Sequence, residues 1–138
     1  MSGTGSQQTT GAVDVVLAEV RTRLGRVGPE EAARIQRDGG LLIDIRPIEQ
    51  RAAEGEIPGS LVIDRNVLEW RLDPTSPHRH PEAGSPERAA VVFCQEGYAS
   101  SFAVEALVRL GLNRVSDLKG GFAAWKAAGL PVTSIDRR

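Results

Sequence analysis

The run AAVVFC, residues 89–94, is apolar at every position. A half-buried strand alternates apolar with polar residues, because successive side chains point to opposite faces; a strand covered on both faces does not. The run therefore reads as a central strand of a parallel sheet. LLIDIR (41–46) is a second short β-branched run. IPGSLVID turns at Pro58–Gly59 into a third strand around Leu61–Asp64, and RVSDL (114–118) is a fourth. Helical patterns lie between them. VGPEEAARIQRDGG opens with Pro29, Glu30 and Glu31, which suit a helix N-terminus, and stops at Gly39–Gly40. Asn66–Leu72 fits one or two helical turns, and the proline-rich stretch Asp73–Arg88 reads as a long surface loop. Ser100–Leu110 carries a stripe at Ala103, Val104, Leu107 and Leu110 closed by Gly111. GGFAAWKAAGLP gives a last helix closed by Gly129 and Pro131. Strands alternating with helices predict an α/β fold, a parallel sheet with helices on both faces.

Residues 1–11 are Ser, Thr, Gly and Gln without apolar periodicity and are expected to be a disordered tail. Val13, Val16, Leu17, Val20 and Leu24 then recur at helical spacing. This predicts a helical extension over residues 12–27, ahead of a domain over 28–134. The stripe of residues 12–24 either packs on that domain or joins two copies as a homodimer.

A chain of 138 residues accommodates one domain with a real core. Its 17 basic and 18 acidic side chains argue against nucleic acid or an anionic membrane surface as partner. No apolar stretch approaches the length of a membrane span and no signal peptide opens the chain, so a cytoplasmic protein is expected. The single cysteine excludes an internal disulfide. His78 and His80, in PHRHP, are two ligands where a metal needs three or four, so neither a metal nor another cofactor is expected.

In a parallel sheet, ligands bind beyond the carboxyl ends of the strands, where strand hands over to helix. Cys94, Asp44 and Arg46 stand at such ends. After Cys94 the loop QEGYA brings Gly97, which permits a turn other residues resist, and Ser100 and Ser101, which suit the helix start as caps. A loop curling over a helix N-terminus aims several backbone N–H groups at one point. Such surroundings stabilise a thiolate over its thiol. Glu96 opposes this if its carboxylate turns inward, so it is expected to face solvent. The competing reading is packing, because free cysteine is among the most buried residue types. On the residues alone, both readings stand.

Together these segments resemble the rhodanese-like sulfurtransferase family, over roughly Gly28–Val132. LLIDIR followed by GEIPGS is similar to the family's Asp-x-Arg strand and its Gly-His-Ile-Pro-Gly motif. VVFCQEGYASS resembles its strand and active-site loop, and LKGGFAAWKAAGLPV its closing segment. The resemblance implies a central five-stranded parallel sheet and a cysteine that shuttles sulfane sulfur. Cys94 would take sulfur from thiosulfate or a persulfide. The loop Gln95, Glu96, Gly97, Tyr98, Ala99 and Ser100 would hold the Cys94 persulfide, and a cellular thiol, or cyanide in an assay, would accept the sulfur. Ala99 stands where many members carry arginine and Glu56 where they carry histidine, which bears on thiosulfate as the donor. Asp44 and Arg46 would brace the site.

Two other classes compete. A non-catalytic rhodanese-like module would bind a partner or sense oxidants through Cys94. A related cysteine phosphatase or arsenate reductase would need a loop arginine to grip a tetrahedral oxyanion, and CQEGYASS has none. Trp125, among alanines on a helical face, reads as a core anchor, and Tyr98 as either a pocket rim or an exposed loop aromatic.

Overall fold

A computed structural model of the chain describes residues 10–135. The expected tail, residues 1–11, lies outside them except for Thr10 and Gly11. Five parallel strands form one sheet: β1 (Gly25–Val27), β2 (Leu41–Asp44), β3 (Leu61–Val62), β4 (Ala90–Phe93) and β5 (Val115–Leu118), in the order β1-β5-β4-β2-β3. Among the described residues six α-helices accompany it: α1 (Ala12–Arg21), α2 (Pro29–Arg37), α3 (Ile48–Glu54), α4 (Leu68–Leu72), α5 (Ala99–Val108) and α6 (Gly121–Ala127). A short 3-10 turn at Arg65–Val67 leads into α4.

β4 is central, and every residue of it is buried. That is why its sequence does not alternate. Val91 and Phe93 face a cluster built with Ala32 and Ala33 of α2 and Phe122 and Trp125 of α6. Val92 and Cys94 face the opposite cluster, with Leu68 and Leu72 of α4 and Ala103, Val104 and Leu107 of α5. Trp125 is 1% exposed, and its indole N–H donates to the Pro131 carbonyl at 2.8 Å, so the ring is the expected core anchor with its polar tip satisfied.

Three elements depart from the sequence pattern. The helical extension over 12–27 is helix only to Arg21, where the Thr22 hydroxyl donates to the Glu19 carbonyl at 2.7 Å. Residues 25–27 form the edge strand β1, paired with β5, so the end of the extension is built into the sheet. Three residues with one apolar side chain carry no strand periodicity of their own. Helix α3, between LLIDIR and IPGS, has no pattern in the sequence because none of its residues is buried. The strand expected over Leu61–Asp64 ends at Val62, because the Asp64 carboxylate accepts the Asn66 N–H at 2.7 Å and starts the 3-10 turn.

Part of the α1 stripe packs on the domain. Leu17 and Val20 are buried, α1 contacts α5, and Val13, Val15 and Val16 stay exposed. Among the described residues no helix is long and apolar enough to cross a membrane.

Candidate active site

Cys94 ends the buried run of β4 at the carboxyl edge of the sheet, and α5 begins five residues later, at Ala99. The intervening loop folds back on the sulfur. The backbone N–H groups of Gly97 and Ser100 donate to Sγ, at 3.2 and 3.4 Å. Two amides from different turns of the chain thus converge on one atom at the N-terminus of a ten-residue helix. Both the amides and the helix dipole favour negative charge on whatever occupies that point.

Glycine makes this loop possible at two positions. Gly97 has φ +90°, and a Cβ there would sit 2.9 Å from the Gly120 nitrogen. Gly121 has φ +62°, and a Cβ there would sit 2.5 Å from the Cys94 carbonyl oxygen. The close approach lets the N-terminus of α6 take the other side of the loop. Phe122 N–H donates to the Cys94 carbonyl at 2.9 Å and Ala123 N–H to the Gln95 carbonyl at 3.0 Å. The GG of LKGGF therefore packs one helix start against the Cys94 backbone while α5 addresses its sulfur.

Ser100 and Ser101 do not cap α5 as expected. The Ser100 hydroxyl donates to Asp117 Oδ1 at 2.5 Å, and the Ser101 hydroxyl donates to Asp117 Oδ2. Asp117, on β5, is fully buried and is also paired with Arg26 of β1, whose Nε donates to Oδ2 at 2.9 Å. The Ser100 oxygen remains 3.4 Å from Sγ and accepts from the thiol. Asp117 went unpredicted: a single aspartate in RVSDL reads as the polar side of a short strand. The available signal was a carboxylate on a strand that the α/β pattern places next to β4.

Asp44 and Arg46 form a brace behind the loop. Arg46 donates through Nε to Asp44 Oδ1 at 3.0 Å and through Nη2 to Asp44 Oδ2 at 2.8 Å. It also donates to the Gly55 carbonyl at 2.8 Å and, through Nη1, to Gln95 Oε1 at 2.9 Å. Its guanidinium lies 4.0 Å from the Phe122 ring centroid. With four of its five N–H groups engaged and the side chain fully buried, Arg46 holds Gln95 from within the core. Glu56 accepts from Arg51 Nη1 at 2.6 Å, an ion pair beside the site rather than part of it.

The sulfur opens on a pocket of about 360 Å³ lined by Gln50, Cys94, Gln95, Glu96, Tyr98 and Ala99. Glu96 is exposed, as its charge requires, and Tyr98 is 58% exposed at the pocket rim. Gln50 comes from α3, the helix the sequence pattern left out. None of the described residues lining the pocket is basic. No group of three or more His, Cys, Asp or Glu able to hold a metal occurs among the described residues.

Residues 28–128 match the rhodanese-like domain family. A sulfurtransferase from Allochromatium vinosum is 33% identical over 68% of this chain and 78% of its own length. Thiosulfate sulfurtransferase GlpE from Stutzerimonas stutzeri is 30% identical over 76% of this chain and 87% of its own. Among solved structures, a Rhodopseudomonas palustris protein of unknown function, a possible tyrosine phosphatase, is 29% identical with TM-score 0.79, covering 96% of this chain and 98% of that one. A thiosulfate sulfurtransferase from Pseudomonas aeruginosa gives TM-score 0.65 at 26% identity, over 81% of this chain and 20% of that one. Sheet order, glycine contacts and these matches have one common explanation, that the chain belongs to the rhodanese-like domain family.

Proposed function

We propose that the protein is a sulfurtransferase that carries sulfane sulfur as a Cys94 persulfide. The observation that carries this reading is the Sγ environment: two backbone N–H donors on the sulfur and an open pocket beside it. The Cys94 thiolate attacks the outer sulfur of a donor RS–S⁻, the donor S–S bond breaks, and RS⁻ leaves. With thiosulfate the leaving group is sulfite. The Cys94–S–S⁻ so formed passes its outer sulfur to an acceptor thiolate, giving a new persulfide, or to cyanide, giving thiocyanate, and Cys94 returns as thiolate. Two half-reactions through one enzyme-bound sulfur give ping-pong kinetics.

The pocket favours a persulfide donor over thiosulfate. A dianion entering it meets the Glu96 carboxylate and, among the described lining residues, no basic side chain. Backbone amides and a helix dipole can hold the single charge of a terminal persulfide sulfur. The same lack of a cation disfavours phosphatase chemistry, in which a tetrahedral oxyanion is gripped by a cation at the loop.

Intact mass spectrometry tests the reading after incubation with thiosulfate and, separately, with a low-molecular-weight persulfide, with Cys94→Ser as control and a cyanide chase. The expected result is one added sulfur atom that requires Cys94 and leaves as thiocyanate, with the persulfide the better donor. No gain of sulfur from either donor would overturn it in favour of a binding or redox-sensing module.

A further inference from the structure

We propose that Arg21, on the helix that precedes the matched residues 28–128, is a positioning residue for the Cys94 loop, so that α1 completes the active site from outside the family-defined domain. Its effect on sulfur transfer rests on the function proposed above; its effect on the loop does not.

The geometry centres on Gly97. Its N–H points at Cys94 Sγ, while its carbonyl accepts from Arg21 Nη2 at 2.6 Å. The second arm of the same guanidinium, Nε, donates to the Ser101 hydroxyl at 3.0 Å, in the first turn of α5. One planar fork thus ties the apex of the loop to the start of the helix whose amide also addresses the sulfur. Gly97, at φ +90°, has no side chain of its own, and the Arg21 fork holds its carbonyl from behind, in the peptide that follows the amide addressing Sγ. The guanidinium carbon also lies 5.7 Å from the Tyr98 ring centroid, so a residue of the pocket rim rests against the same group.

The fork is itself anchored. Leu17 and Val20 bury the α1 face, and Arg23 pairs with Glu105 of α5 at 2.5 Å. Five residues beyond Arg21, Arg26 of β1 pairs with Asp117, to which Ser100 and Ser101 both donate. The N-terminal segment therefore reaches the first turn of α5 from two directions. Arg21 does not line the pocket. It acts through Gly97 and Ser101, not on substrate. The Rhodopseudomonas palustris structure covers 96% of this chain, more than residues 28–138 can supply, so the likeness extends into this segment.

The test uses the full chain with Arg21→Ala and Arg21→Lys. Cys94 reactivity is read as the rate of alkylation by iodoacetamide, which does not depend on sulfur transfer, and transfer as kcat and KM for loading from a persulfide. Melting temperature is recorded for each variant. Misplacing one of two donors on a reacting atom is expected to lower kcat about tenfold or more with a smaller change in KM. Alkylation should change in both variants, because lysine keeps the charge but not the fork. Added methylguanidinium, below denaturing concentrations, should restore part of the Arg21→Ala activity without accelerating the wild type. Variants with wild-type alkylation and kcat would overturn the proposal. So would losses that track melting temperature and resist methylguanidinium. If the wild type transfers no sulfur, the alkylation rates alone decide the role of Arg21, and the failure belongs to the proposed function.

Discussion

The Ser100 hydroxyl donates to the buried Asp117 carboxylate at 2.5 Å, and the same oxygen lies 3.4 Å from Cys94 Sγ. A carboxylate on one strand thereby sets the orientation of a hydroxyl against the sulfur at the end of the neighbouring strand. Asp117 is stable there because Ser100, Ser101 and Arg26 all donate to it.

Asp117→Ala removes the acceptor from all three donors while Arg26, itself largely buried, keeps its charge. Breaking one side of a buried ion pair costs about 3 kcal/mol or more. The expected outcome is an unfolding free energy lower by that amount in a urea titration, together with altered iodoacetamide reactivity of Cys94. Asp117→Asn, which keeps an oxygen acceptor, should lose less stability.

The parts of this site that sequence pattern reveals are those whose physics is local. An unbroken apolar run marks β4 because both its faces are covered. A glycine shortly after a strand-terminal cysteine marks a loop that turns back on itself. The edge strand β1 and helix α3 leave no such trace, the first because it is three residues long and the second because it buries nothing. Ser100 and Ser101 look like caps by position, yet their hydroxyls go to Asp117, 17 and 16 residues away. Arg21 looks like an ordinary charge at the end of an amphipathic helix. Its partner Gly97 is 76 residues distant, and the packing of Leu17 and Val20 on the domain helps to bring them together. Long-range polar pairs of this kind are set by tertiary geometry, which spacing along the chain does not encode.

Gly97→Ala tests the loop itself. The φ of +90° is unfavourable for any L side chain, and the new Cβ would meet the Gly120 nitrogen at 2.9 Å. The expected cost is at least about 2 kcal/mol, from backbone strain and the displaced contact together. Sulfur loading of Cys94 should fall further than stability does, because the Gly97 N–H is one of the two amides on Sγ. Chemical denaturation paired with intact mass spectrometry separates the two effects.

Glu96→Lys reverses the charge at the pocket. Exposed pairs contribute about 0.5–1 kcal/mol each, so losing a repulsion and gaining an attraction amounts to roughly a tenfold gain. The expected outcome is a KM for thiosulfate about tenfold lower, with a smaller gain of about threefold for a persulfide, which carries half the charge. The gain should shrink as ionic strength rises, because the side chain is exposed and its field is screened. An unchanged KM for thiosulfate would mean that Glu96 does not govern the choice of donor.

Arg46→Lys separates charge from shape in the brace behind the loop. Lysine keeps the positive charge but cannot reach both Asp44 oxygens, the Gly55 carbonyl and Gln95 from one planar group, nor lie flat on Phe122. Asp44 is fully buried, so its incompletely matched carboxylate makes the substitution costly, about 3 kcal/mol in a urea titration. Gln95 loses the donor to its side-chain oxygen, but its backbone carbonyl keeps the Ala123 N–H and the Cys94 carbonyl keeps that of Phe122. Stability should therefore drop while the variant still loads sulfur at low temperature. Loss of loading in a variant that remains folded would place Arg46 in the positioning of Cys94 itself rather than in the scaffold beneath it.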